Sequence, residues 1–167
     1  CAYIAPTYRQ AKAVAWDYLK QFAGKIPMVR FHETELRCDL PNGARIQLLG
    51  AENPDSLRGI YQDGTCLDEM ADMPESLFPE IIRPALSDRK GWALFIGTPR
   101  GHNAFYELYM AAESQKDWHT ALFRASDTDI LDDEELEAAR SMMSVDQYAQ
   151  EYECSWVANV PGAVFGK

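Results

Sequence analysis

The chain has 167 residues, 47% of them hydrophobic and 25% charged, and a net charge of −10 at pH 7. That balance suits a globular domain with a core of ordinary size and excludes a disordered or fibrous chain. No apolar run approaches a membrane span and the start lacks a signal segment, so a soluble, cytoplasmic protein with no membrane partner is expected.

The first residue is Cys, and residues 2–5 already read as a buried strand, as if the chain began inside a longer one. Thr7 and Gln10 have capping-box spacing and predict a helix start. Its apolar positions Ala11, Val14, Ala15, Tyr18, Leu19 and Phe22 share one face of a 3.6-residue period, and Gly24 is the expected stop. Asn42-Gly43 between Glu35–Cys38 and Arg45–Leu48 predicts a hairpin. A polar loop over 50–60 leads to a short strand at 64–67 that ends on Asp68. Asp72 and Pro74-Glu75 read as the start of a helix burying Leu77, Phe78, Ile81, Ile82, Ala85 and Leu86. The continuous apolar run 92–96 suits a central parallel strand. Asn103, Asp132 and Ser144 each read as helix caps, residues 118–125 as a further strand, and Val160-Pro161-Gly162 as an exit linker. Alternating strands and helices imply an α/β fold with a mostly parallel sheet.

Charge is uneven along the chain. Residues 1–60 hold eight Lys/Arg against six Asp/Glu, and residues 61–167 eight against twenty, so a DNA contact is expected early. Cys1, Cys38, Cys66 and Cys154 are scattered, without C-x-x-C spacing, and reduced thiols are expected. His32, His102 and His119 share no ligand spacing.

Ligands of parallel sheets lie beyond the carboxyl ends of the strands, which directs attention to four places. Asp68-Glu69 fits a Walker B pair, in which one carboxylate orders a magnesium shell and the next orients and deprotonates the attacking water. The other reading is two acidic residues between a strand and a capped helix. Thr98 in Gly97-Thr98-Pro99-Arg100-Gly101 offers a hydroxyl to a phosphate or a water, or simply belongs to a Pro-Gly turn. Arg58 in Leu57-Arg58-Gly59 can stabilise a transferring phosphoryl group across a subunit boundary, or is a surface charge. Capping alone accounts for Thr7 and Gln10, and Arg9 and Lys12 face solvent or DNA. Two further functional classes stay open: a carboxylate-metal nuclease using Asp68, Glu69 and Asp72, and a non-catalytic binding or assembly module.

Tyr3–Thr7 with Gln10-Ala11-Lys12, Asn53–Gly59, Leu67-Asp68-Glu69, Phe95–Gly101, Asn103-x-Phe105-Tyr106 and Tyr148-x-Gln150-Glu151-Tyr152 occur in an order that resembles the large terminase subunit of tailed bacteriophages. The resemblance implies an ATP-driven motor that packages double-stranded DNA into procapsids, with a RecA-like P-loop ATPase domain of the ASCE type followed by a nuclease domain. It implies Asp68 as the magnesium-shell residue, through water, and Glu69 as the catalytic base. Thr98 falls in the coupling motif beside the nucleotide, and Arg58 matches a finger acting on a neighbouring subunit's ATP. ATP and Mg2+ are the implied cofactors. The implied partners are DNA, a portal protein, a small terminase subunit and further copies in a ring, in the cytoplasm of the host.

One family element is missing from these residues. No G-x-x-x-x-G-K-[ST] occurs: Gly24-Lys25 lacks the upstream Gly, and Gly162-x-x-x-Gly166-Lys167 has the wrong spacing. Without that loop the phosphates lose their cradle, so these residues alone are expected to be inactive. Residues 1–158 are expected to form the later part of the ATPase domain, lacking the P-loop strand and helix, and 159–167 the start of a linker. In the RecA-like order, strands 2–5, 64–67 and 92–96 should be neighbours, with 118–124 across the gap that the P-loop strand would fill.

Overall fold

The computed structural model describes residues 1–157, so the expected linker lies outside the described residues. The chain forms two compact units, Cys1–Gly97 and the residues from Thr98 onward.

The first unit is built on a six-stranded sheet in the order β2-β3-β4-β1-β5-β6. Its strands are β1 (Ala2–Ala5), β2 (Arg30–His32), β3 (Arg37–Asp39), β4 (Arg45–Gly50), β5 (Gly64–Leu67) and β6 (Trp92–Phe95). β4, β1, β5 and β6 run parallel, while β2 and β3 pair antiparallel and extend the sheet beyond β4. The hairpin β3–β4 turns at Asn42-Gly43 as expected, with Gly43 in the left-handed region at φ 83°. β2 had no signal of its own, because three residues are too few for an alternation to register.

Helix α1 starts at Tyr8, where Thr7 Oγ1 accepts a hydrogen bond from the Gln10 amide. It runs as an α-helix over Tyr8–Ala11, widens to a π-helical stretch over Lys12–Trp16, and resumes as an α-helix over Asp17–Ala23. The wide turn changes which side chains face the core. Ala11, Trp16 and Ala23 are buried, with Ala15 and Leu19 partly so, while Val14, Tyr18 and Phe22 are exposed, contrary to the 3.6-residue reading. The five-residue step from Ala11 to Trp16 is the period of a π turn, and the large indole takes the inward place. Trp16 then packs with Ala5, Ala11, Leu36 and Leu48, stands edge-on to Phe31, and donates Nε1–H to Glu33 Oε2 at 2.6 Å.

Helix α2 follows β5. It is π-helical over Leu77–Ile82 and α-helical over Arg83–Ser87, with Leu77, Ile81, Ile82 and Leu86 buried, as the sequence pattern predicts. Its start differs from expectation: Met70–Asp72 forms a separate 3-10 turn, and Asp72 is not the cap. The Asp72 amide closes that turn by donating to the Glu69 carbonyl, so its backbone is committed before the helix begins.

In the second unit, Asn103, Asp132 and Ser144 cap α3 (Ala104–Ala112), α4 (Asp133–Met142) and α5 (Val145–Glu151), as predicted. Ser144 and Gln147 complete a reciprocal capping box. Phe105, Tyr106 and Tyr109 gather around Trp156, and Tyr148 stacks on Tyr152 beneath the Arg140 guanidinium. The strand expected at 118–125 does not form; the segment is irregular and ends in a 3-10 turn at Ala125–Asp127. A strand exists only where a neighbour accepts its ladder, and among the described residues the second unit offers none.

Candidate functional site

The four parallel strands end together, and hydrogen bonds continue one step past them. The Ala51 amide donates to the Ala5 carbonyl at 2.9 Å, Asp68 to Ile4 at 2.9 Å, Ile96 to Leu67 at 2.9 Å and Met70 to Ile96 at 3.0 Å. The residues after β4, β5 and β6 are therefore held by the ladder, and Asp68 has its backbone tied to β1.

Its side chain is tied as well. Tyr3 on β1 pairs in register with Cys66 on β5, and Asp68 lies two residues beyond Cys66, on the same face. The Tyr3 hydroxyl spans the strands and donates to Asp68 Oδ2, while Oδ1 accepts from the Glu69 amide at 3.1 Å. Burial, followed by the hydrogen bond to Asp68, raises the Tyr3 phenol well above its ordinary range, so it remains a donor at physiological pH. Burial and then the Asp68 charge push the Cys66 thiol up to about 11, leaving it protonated. Glu69 is exposed and its backbone is left-handed, with φ 56° and ψ 47°. Such a conformation costs a non-glycine residue about 1 kcal/mol or more; Met28, Leu36, Lys90 and Cys154 also have positive φ, so the backbone alone does not mark the site.

The remaining candidates fall elsewhere. Arg58 borders an open cleft of about 250 Å³ with Tyr61, Glu80 and Pro84, and its guanidinium is held within its own chain. Arg58 Nε donates to Asp55 Oδ1 at 2.8 Å, and Nη2 lies 3.9 Å from Glu80 Oε2. Thr98 is half-buried at the start of the second unit. Asp68, Glu69 and Asp72 do not converge: among the described residues no three His, Cys, Asp or Glu side chains are grouped to share a metal ion.

One carboxylate with both oxygens oriented, next to a second that is exposed, does fit magnesium held through its water shell. Magnesium keeps several waters and takes few protein ligands, the others coming from substrate phosphates.

Sequence reasoning overlooked two of these contacts. Tyr3 read only as part of a buried strand, yet a tyrosine hydroxyl taken into a core needs a partner, and that need was the available signal. Glu52 read only as loop, whereas both of its carboxylate oxygens accept from the Tyr8 amide at 3.0 Å and hold the start of α1.

The sheet has one covered and one open face. Register places Ile4, Leu67 and Phe95 on the first, where Ile4 and Leu67 are fully buried and Phe78 of α2 stands edge-on to Phe95 at 4.7 Å. Tyr3, Cys66 and Asp68 share the other with Trp92, Leu94 and Ile96, which remain 55%, 49% and 46% exposed. A Cβ on Gly64 would sit 2.1 Å from the Trp92 ring, so only glycine lets the indole lie across β5. β6 is therefore an edge strand in the described residues, although its unbroken apolar sequence suits an interior one.

The profile of the family described as "Terminase large subunit, T4likevirus-type, N-terminal" matches residues 1–166. The chain belongs to the large terminase subunits. It is 52% identical over 126 residues to the large subunit of Thermus phage G20c, an alignment covering 64% of this chain and 26% of that protein. It superposes on a large terminase ATPase domain of Thermus phage P74-26 with a TM-score of 0.78 and 27% identity, covering 93% of this chain and 76% of that one. A large terminase of a thermophilic bacteriophage, solved in complex with ADP, matches with a TM-score of 0.78 and 21% identity over 93% of this chain and 40% of its own. The fold is thus that of the RecA-like terminase ATPase domains, a mostly parallel mixed sheet flanked by helices. The chain spans about a quarter of the G20c subunit. No helix among the described residues is long and apolar enough to cross a membrane.

Proposed function

We propose that this terminase segment carries the water-activating half of an ATP site in a motor that packages double-stranded DNA into procapsids. The observation that supports it most directly is the Asp68-Glu69 pair: at the carboxyl end of β5, Asp68 is oriented by donors on both oxygens, and Glu69 is exposed on a left-handed backbone. Asp68 would hold the Mg2+ shell through water, and bound Mg2+ supplies charge neutralisation at the phosphates. Glu69 orients the attacking water and takes its proton. The ADP complex of a structural neighbour supports nucleotide as the ligand class.

The open face supports a position for the phosphate cradle that these residues lack. We place a P-loop strand and helix, from a part of the large subunit outside these residues, along β6 and over Trp92, Leu94 and Ile96. On this reading the 167 residues alone do not hydrolyse ATP, the first 158 are the later part of the ATPase domain, and 159–167 lead toward a nuclease domain. Thr98 couples the nucleotide to the segment beyond it, and Arg58 acts on a neighbouring copy's ATP after leaving Asp55 and Glu80. Portal protein, small terminase subunit and further copies are the partners of the complete motor, in the host cytoplasm.

The test is Glu69→Gln in the full-length large subunit. Steady-state Mg2+-dependent hydrolysis should fall by about 10²–10⁴-fold, the usual loss for a general base, with nucleotide affinity retained. Unchanged hydrolysis would remove the assignment.

A further inference from the structure

The hydrogen bond between Tyr3 and Asp68 assigns work to a residue that the proposed chemistry does not otherwise use. Tyr3 sits on β1, its ring packed against the Trp16 cluster of α1, with its hydroxyl on Asp68 Oδ2. Packing fixes the ring, and the pairing Tyr3↔Cys66 fixes its height along β5. The Asp68 backbone is tied to the same strand through Ile4. One strand therefore sets both ends of the Asp68 side chain, while the Glu69 amide holds the other oxygen.

A carboxylate in the middle of a strand end has two soft torsions, and ordering a metal's water shell requires both to be fixed. Groups that hydrogen-bond a metal-binding carboxylate typically change metal affinity by about 10–100-fold when removed. We propose that Tyr3 is a positioning residue for the magnesium site: its hydroxyl fixes the orientation in which Asp68 would order the metal's water shell. The proposal rests on the reading of Asp68 as the magnesium-shell residue.

Tyr3→Phe in the full-length large subunit isolates the hydroxyl, because the ring and its packing remain. The readout is binding rather than turnover: affinity for a fluorescent, slowly hydrolysed ATP analogue, titrated with Mg2+ and repeated with Mn2+ followed by electron paramagnetic resonance. The half-saturating metal concentration should rise by about tenfold, the low end of the range because water intervenes, while affinity for the metal-free nucleotide and the melting temperature stay at wild-type values. An unchanged metal requirement would overturn the proposal, as would an equal loss of nucleotide affinity with and without metal, which marks a structural defect. Asp68→Asn run alongside separates the two levels. If Asp68→Asn raises the metal requirement and Tyr3→Phe does not, only the Tyr3 role fails; if neither does, the Asp68 assignment itself fails.

Discussion

The two faces of the sheet are built from the same strands and finished differently. On the covered face, Ile4 and Leu67 are fully buried and Phe95 meets Phe78 of α2, so apolar area is removed from water by a helix a few residues along the chain. On the other, α1 shields Tyr3 and Leu48, but Trp92, Leu94 and Ile96 stay about half exposed. Asp68 lies at the boundary between shielded and open parts of that second face. Stability is concentrated on one side of β5 and the candidate chemistry on the other. A nucleotide site needs that asymmetry, since a carboxylate sealed under a helix could not reach phosphate or water.

The strongest way to sharpen the contrast is Leu67→Ala. Leu67 is fully buried on the covered face, so truncation should cost about 2–5 kcal/mol in denaturant titration of the full-length protein, whatever lies on the other side. A cost under about 0.5 kcal/mol, typical of surface positions, would mean that the covered face is not a core. Leu94→Ala probes the open face. In the complete large subunit, where a further strand and helix are proposed to lie, it should cost about 2 kcal/mol, near the lower end for a buried leucine. A change within about 0.5 kcal/mol would show that Leu94 remains on a free surface there.

Much of this architecture was legible in the sequence because local rules decide it. The caps at Thr7, Asn103, Asp132 and Ser144, the Asn42-Gly43 turn and the buried stripe of α2 depend on neighbours three or four residues away. The failures came where distant contacts decide. Trp16 turns inward to pack with Ala5, Leu36 and Leu48, and the accompanying π turn leaves Val14, Tyr18 and Phe22 in solvent. Residues 118–125 carry strand-like composition but form no ladder, since hydrogen-bonding partners are not a property of the segment itself. At the site, Asp68 and Glu69 stood out by type and order, whereas Tyr3 lies 65 residues away from Asp68 along the chain. Only the parallel pairing of β1 with β5 brings the two together.

The most direct measurement is a structure of the complete large subunit with Mg2+ and a slowly hydrolysed ATP analogue. A strand should be hydrogen-bonded along the outer edge of β6, with its helix over Trp92 and Leu94 and the terminal phosphate facing Asp68 and Glu69. A nucleotide bound away from that pair, with the edge of β6 left bare, would contradict this arrangement.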